Sequence, residues 1–257
     1  MRSNVRAVLI GMAASLMGLN AQAALIPIAG GLGVYDDVNN VTWAADGNLM
    51  ATQAASYSGG ASAYVAAVIA ASGGVIHDTP NGWDASPGAY MLSASDLNPG
   101  DGFMSWWGAK AWVNYLNITN YGGINTWALP TTMEMLGSYQ LPPSPNSSQL
   151  AQLFYGGLGQ VAGKSIATTH SNSYSLFANM GNYAFWSGTE DLVSPGDAWI
   201  FGSDLGFQAT DGKKSKRSVL AVSAAQTYAV PEPGVAWLLG TGLLGVAGLR
   251  RSKTKSS

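Results

Sequence analysis

The chain contains no cysteine and few charged residues. Of its 257 residues none is Cys, and only 10% are Asp, Glu, Lys or Arg, compared with roughly a quarter in an average protein. The absence of Cys excludes a disulfide scaffold, a Cys-ligated zinc site and a cysteine nucleophile. Disordered chains are poor in aromatic residues, whereas this chain has 9 Trp and 11 Tyr. We therefore expect a folded domain, stabilised by its core alone.

Histidine is also scarce, which limits the catalytic chemistry. The two histidines, His77 and His170, lie in no recognisable catalytic motif, and the chain has no nucleophile elbow, zinc-protease motif or phosphate-binding loop. A hydrolase needs a nucleophile, a base and a group that orients the base. Glu190 and Asp191 are adjacent, so on a strand they point to opposite faces and favour a structural role. We predict a non-catalytic protein, with an exported enzyme acting on matrix polysaccharide as the alternative.

The N-terminus has the three parts of a secretory signal. Arg2 and Arg6 precede an apolar stretch at residues 7–19, and Ala21-Gln22-Ala23 follows. A basic start, a short apolar segment and an Ala-x-Ala site are typical of a cleavable signal peptide. The apolar stretch is shorter than the roughly 20 residues that a membrane span needs. We predict that residues 1–23 are a signal peptide removed after Ala23.

The C-terminus, residues 229–257, carries a second targeting pattern. Pro231, Glu232 and Pro233 precede an apolar stretch at residues 234–249, and a basic cluster that includes Arg250 and Arg251 follows. This end resembles the PEP-CTERM sorting signal of Gram-negative bacteria. The resemblance implies transient insertion of a C-terminal helix in the inner membrane and cleavage by an exosortase-type membrane protease. It also implies release to the cell surface or to the extracellular matrix of a biofilm. An ordinary single-span tail anchor is the alternative.

The segment between the two targeting ends is acidic. Residues 24–228 contain 6 basic and 13 acidic side chains, a net charge of −7. Such a charge disfavours binding to nucleic acid or to an anionic membrane surface. The basic run at residues 213–217 is an exception, and we expect it to be a solvated hairpin tip, with an anion or glycan contact as the alternative.

Sequence periodicity predicts helices first and strands later. Residues 49–72 are Ala-rich and indicate a helix broken at Gly59-Gly60, and residues 105–116 place apolar side chains at helical spacing. After Tyr183, short apolar segments alternate with turns, which predicts that residues 184–222 form one antiparallel β-meander. We expect an α+β fold in which Trp112 belongs to the core.

Two motifs in residues 24–228 are similar to a known bacterial domain. They are Trp127-x-Leu129-Pro130-Thr131 and Trp186-Ser187-Gly188-Thr189-Glu190. In this order they resemble the Lcl-type C-terminal domain of collagen-like adhesins. The resemblance implies a C-type-lectin-like domain without a general enzymatic role, and extracellular polysaccharide as a binding partner.

A long irregular segment, residues 78–107, is the predicted ligand-binding surface. Long loops on a rigid scaffold tend to carry function. We expect exposed Trp83 and Trp106 to stack on sugar rings. Asp96, Asn98 and Asp101 are candidate ligands for sugar hydroxyls or for Ca²⁺, since hard oxygen donors at such spacing suit that ion. The same residues form good turns, so the sequence leaves both interpretations open.

Overall fold

The computed structural model describes residues 24–78, 88–133 and 139–224, and in this part the protein has an α+β fold. The α-helices are α1 (Leu49–Ser56), α2 (Gly60–Ala71), α3 (Trp106–Ile118) and the single turn α4 (Gln149–Ala151), which continues into a π-helix over Gln152–Gly157. The strands are β1 (Leu25–Ile28), β2 (Gly33–Asp36), β3 (Val41–Ala44), β4 (Val75–His77), β5 (Ala89–Met91), β6 (Leu97–Asn98), β7 (Phe103–Met104), β8 (Trp127–Ala128), β9 (Tyr139–Gln140), β10 (Ala184–Glu190), β11 (Asp197–Gly202), β12 (Phe207–Gly212) and β13 (Val222–Ala224).

The helices lie close to where periodicity predicts them. The expected break between α1 and α2 is confirmed, and Gly60 supplies a left-handed backbone with φ of +79° at the start of α2. Helix α3 begins after Ser105, whose hydroxyl accepts a hydrogen bond from the backbone N–H of Gly108 at 3.1 Å. Trp112 is fully buried, so its assignment to the core is confirmed.

A five-stranded antiparallel sheet forms one layer, with the strand order β1-β2-β3-β13-β8. The last strand of the described chain, β13, pairs with β3 on one side and with β8 on the other. The prediction that all strands after Tyr183 form one sheet is therefore wrong. The antiparallel pairing is as expected, but β13 does not join the meander. It lies between β3 and β8 in the sheet that contains the N-terminal strands.

The meander itself is a second antiparallel sheet, with the order β10-β11-β12-β9. Successive side chains of a strand point to opposite faces, and β11 follows this rule. Ala198 and Ile200 pack into a cluster with the helices, while Phe201 packs with Phe154 and Phe185 in a second cluster. This sheet thus contributes to two apolar clusters, one on each of its faces.

The two adhesin-like motifs lie against each other. The carbonyl of Pro130 accepts hydrogen bonds from the backbone N–H of Gly188 at 2.8 Å and from the hydroxyl of Ser187 at 2.9 Å. Thr189 accepts a hydrogen bond from the backbone N–H of Thr132 at 3.0 Å and donates one to its carbonyl at 3.0 Å. These contacts join β10 to the segment that follows β8.

Both predicted targeting ends lie outside the described residues. The predicted signal peptide and the sorting residues Pro231, Glu232, Pro233, Arg250 and Arg251 belong to these ends. Among the residues that the structure describes, no helix is both long enough and apolar enough to cross a membrane.

Candidate functional site

The predicted ligand-binding loop contains more regular structure than expected. Within residues 88–107 the chain forms β5 and the two-stranded hairpin of β6 and β7, and α3 begins at Trp106. Trp83 belongs to residues 79–87, which the structure does not describe. The β6–β7 hairpin corrects the interpretation of this segment as a long irregular loop, whereas the start of a helix near residue 105 is as expected.

Asn98 and Asp101 close the turn between β6 and β7. The side-chain amide of Asn98 donates to Asp101 at 2.7 Å, and the other carboxylate oxygen of Asp101 accepts from the backbone N–H of Phe103 at 2.9 Å. The amide oxygen of Asn98 accepts from the backbone of Gly100 at 3.3 Å. Both side chains are thus used in turn formation. In the part of the chain that the structure describes, no three His, Cys, Asp or Glu side chains form a group that could hold a metal ion.

Asp96 is buried, so its assignment to a ligand-binding surface is wrong. One carboxylate oxygen accepts hydrogen bonds from Tyr90 at 3.0 Å and from the hydroxyl of Ser105 at 2.7 Å. The other accepts from the backbone N–H of Ser93 at 2.8 Å, as in a capping box. With its oxygens satisfied inside the protein, Asp96 positions the N-terminus of α3.

Trp106 is also buried, contrary to the expectation that it stacks on a sugar. Its side chain is fully inaccessible, and the indole N–H donates to the carbonyl of Ser187 at 2.8 Å. The helical period places its neighbour Trp107 on another side of α3, yet Trp107 is buried as well. Both flanks of the first turn of α3 are therefore covered by other elements.

A buried cluster of charges lies beside these two tryptophans. The ammonium of Lys213 is 2.8 Å from a carboxylate oxygen of Asp78 and 3.0 Å from one of Glu190. The side chains of Lys213 and Asp78 are fully buried, and the same oxygen of Asp78 accepts from the indole N–H of Trp107 at 3.0 Å. The expectation of a solvated tip is therefore wrong for Lys213, because its buried ammonium is neutralised by ion pairs with two carboxylates.

The histidines do not form a catalytic group with the acidic residues. His77 is exposed on β4, and His170 is exposed and stacks on Tyr174 with ring centroids 4.1 Å apart. Glu190 is instead engaged by Lys213 at 3.0 Å. None of these contacts provides a nucleophile next to a base.

A cavity of about 400 Å³ lies where α1, α2 and α3 meet. Its lining combines aromatic rings with polar groups, and we call it the tyrosine pocket: Gln53, Ser56, Tyr57, Ser58, Tyr64, Tyr115, Thr119 and Tyr121. The ring of Tyr64 makes edge contacts with Tyr57 and Tyr115, each with centroids 5.4 Å apart. The helices therefore hold the aromatic wall in a fixed arrangement.

Hydrogen bonds fix the base of the tyrosine pocket. The side-chain oxygen of Gln53 accepts from the hydroxyl of Tyr64 at 2.7 Å and from the indole N–H of Trp112 at 3.1 Å. Burial raises the pKa of Tyr64 well above its usual range, so this hydroxyl stays protonated. The hydroxyls of Tyr57 and Tyr115 form no hydrogen bond with other described residues and are available to a ligand.

Sequence reasoning missed the tyrosine pocket because its lining comes from three helices and the turn after α3. One local signal was present. Tyr115 of α3 and Thr119, which caps its C-terminus, are four residues apart, so they lie on one side of the helix, away from Lys110 and Val113. Such a pair, together with the polar turn at Tyr57 and Ser58, predicts an exposed polar and aromatic surface, but it does not predict that this surface forms a pocket.

Comparison with known proteins gives no relative for this geometry: no family model, no curated protein and no solved structure matches the chain.

Proposed function

We propose that the protein is exported to the cell surface or extracellular matrix and binds polysaccharide there without catalysis. The observation that carries the binding proposal is the tyrosine pocket. Sugar rings present apolar C–H faces and a rim of hydroxyls, so they suit aromatic walls combined with a few fixed polar groups. The pocket offers both, with the rings of Tyr57 and Tyr115 and the side-chain amide of Gln53 in its lining.

The export proposal is supported by the targeting ends of the sequence and by one contact at residue 24. The backbone nitrogen of Ala24 lies 2.8 Å from a carboxylate oxygen of Asp37. Cleavage after Ala23 makes this nitrogen an ammonium, which the carboxylate stabilises. The PEP-CTERM resemblance adds an exosortase-type protease as the processing partner.

A C-type-lectin-like domain is the finer fold that we propose. The support is the adhesin-like pair of motifs, which pack together through Pro130, Gly188 and Thr189. In this proposal the segments that resemble the adhesin domain form the scaffold of the fold. The ligand-binding surface that we propose is not the loop predicted from the sequence, because Asp96 and Trp106 of that loop are buried.

A glycan array tests the proposed function, followed by titration of the best glycan by calorimetry. A Tyr57→Ala, Tyr115→Ala double variant should bind at least about fivefold more weakly, since each of the two aromatic contacts contributes roughly 0.5–1.5 kcal/mol. Tyr139→Ala is the matched control, because Tyr139 is 56% exposed and lies outside the pocket. Unchanged affinity in a folded double variant would exclude the tyrosine pocket, and no binding by the native protein would favour a purely structural matrix role.

A further inference from the structure

A second cavity lies on the other side of α3. It has a volume of about 320 Å³ and shares no lining residue with the tyrosine pocket. We call it the lysine pocket and define it by its lining: Lys110, Val113, Trp127, Ala128, Leu129, Thr131, Gly188 and Thr189. It therefore lies between α3 and the two adhesin-like motifs.

Lys110 is the one charged side chain in this lining. Its ammonium lies 4.3 Å from the ring centroid of Trp106, and it forms no ion pair or hydrogen bond with another described residue. The nearby carboxylates of Asp78 and Glu190 are both bound by Lys213. A cation held at a cavity wall without a bonded anion is a binding group for an anionic ligand.

The electrostatic surroundings of Lys110 support this role. Burial lowers the pKa of Lys110, Glu190 and Asp78 raise it, and Lys213 lowers it again. The net effect is a lowered pKa, so the charged form of Lys110 is not fully compensated by its protein neighbours. A carboxylate placed in the cavity would supply the missing negative charge in a partly desolvated position, where ion pairs are stronger than in water.

The other lining residues determine the size and polarity of the part of the ligand that lies beyond its carboxylate. Val113, Trp127 and Leu129 are apolar, and the hydroxyl of Thr131 forms no hydrogen bond within the described residues. The cavity volume is at the small end of the range for small-molecule sites, whose lower limit is about 300 Å³. It suits one ring with a substituent rather than an extended chain.

We propose that the lysine pocket binds a carboxylate carried on a six-membered ring, with Lys110 holding the carboxylate and the apolar walls covering one ring face. Two sources share this chemistry, a uronate residue of an acidic polysaccharide and a free aromatic acid. The proposal is independent of the tyrosine pocket, since the two sites have no residue in common.

Calorimetry with four small probes tests the proposal on the full chain. Glucuronate and benzoate are the two carboxylates, and glucose and benzyl alcohol are their neutral counterparts. At least one carboxylate should bind about tenfold or more tightly than its neutral counterpart, and binding of glucuronate or of benzoate alone identifies the source. Absence of binding by both carboxylates, or equal binding of the neutral probes, would overturn the proposal.

Variants of Lys110 then localise the site. Lys110→Met keeps an unbranched side chain that is one atom shorter and removes its charge, and should weaken carboxylate binding about tenfold or more. Lys110→Arg should retain binding, and Thr131→Val should weaken it even if Lys110→Met does not fold. Lys164→Met is the matched control, because Lys164 is exposed and outside the pocket. Full affinity in folded Lys110→Met protein would contradict the proposal.

Discussion

Among single residues, Lys213 is the charge whose removal should destabilise the protein most. Lys213→Met leaves the carboxylate of Asp78 buried without its cation, a change that costs roughly 3–5 kcal/mol of the free energy of unfolding. Denaturant titration measures this loss. Adding Asp78→Asn should recover part of it, since the amide oxygen still accepts from Trp107. Lys164→Met should stay within about 0.5 kcal/mol of the native protein. A similarly small loss in Lys213→Met would show that the cluster is hydrated.

Tyr64 should make stability depend on alkaline pH. Its pKa is raised by burial in the folded protein, whereas in the unfolded chain it is about 10. As pH rises, the unfolded chain loses this proton first. The stabilisation is therefore fully present below about pH 10 and is lost as pH increases toward the folded pKa.

The variant Tyr64→Phe tests this dependence. At neutral pH it should lower the free energy of unfolding by about 1–2 kcal/mol, because the hydroxyl bonds to Gln53 and Trp112 are lost. Between about pH 9 and 11 its stability should fall less steeply than that of the native protein. Tyr139→Phe, at an exposed position, is the control and should stay within about 0.5 kcal/mol of the native protein at neutral pH. Equal slopes in Tyr64→Phe and native protein would refute the assignment.

At the scale of elements, α3 is the helix on which both pockets depend. Trp112→Ala should lower the free energy of unfolding by roughly 3–5 kcal/mol, as expected for a fully buried large side chain. It should also weaken ligand binding at the tyrosine pocket, because Trp112 orients Gln53. Ile118→Ala, on the same helix at a 63% exposed position, is the control. A loss below about 1 kcal/mol in Trp112→Ala would mean that the packing of α3 is misassigned.

Elements set by local pattern could be predicted from the sequence, and those set by distant partners could not. The break at Gly59-Gly60 and the apolar face of α3 depend on residues within a few positions, and both are confirmed. The pairing of β13 with β3 joins segments about 180 residues apart by sequence position, so no local signal reveals it. The burial of Lys213 depends in the same way on Asp78, which is 135 residues away.

At the scale of the whole molecule, the two cavities beside α3 differ in the chemical groups that line them. The tyrosine pocket offers neutral aromatic and amide groups, whereas the lysine pocket offers one cation among apolar walls. If both proposals hold, an acidic polysaccharide could engage one domain through a neutral sugar at one pocket and a uronate at the other. The net charge of −7 between the targeting ends would then limit binding to chains whose anionic groups reach Lys110.

The last prediction concerns processing of the two ends. We predict that the mature protein begins near Ala24 and ends near the Pro231-Glu232-Pro233 segment, because a predicted signal-peptide site precedes Ala24 and the C-terminal pattern resembles a sorting signal. Intact-mass spectrometry of the native surface fraction measures both ends at once. A Glu232→Ala variant tests the motif directly, and we expect it to stay in the membrane fraction with its basic tail attached. Recovery outside the cell of a species that still carries Arg250 and Arg251 would contradict the sorting assignment. The same mass tests the start at Ala24 independently, because a different N-terminus changes the mass by a known amount.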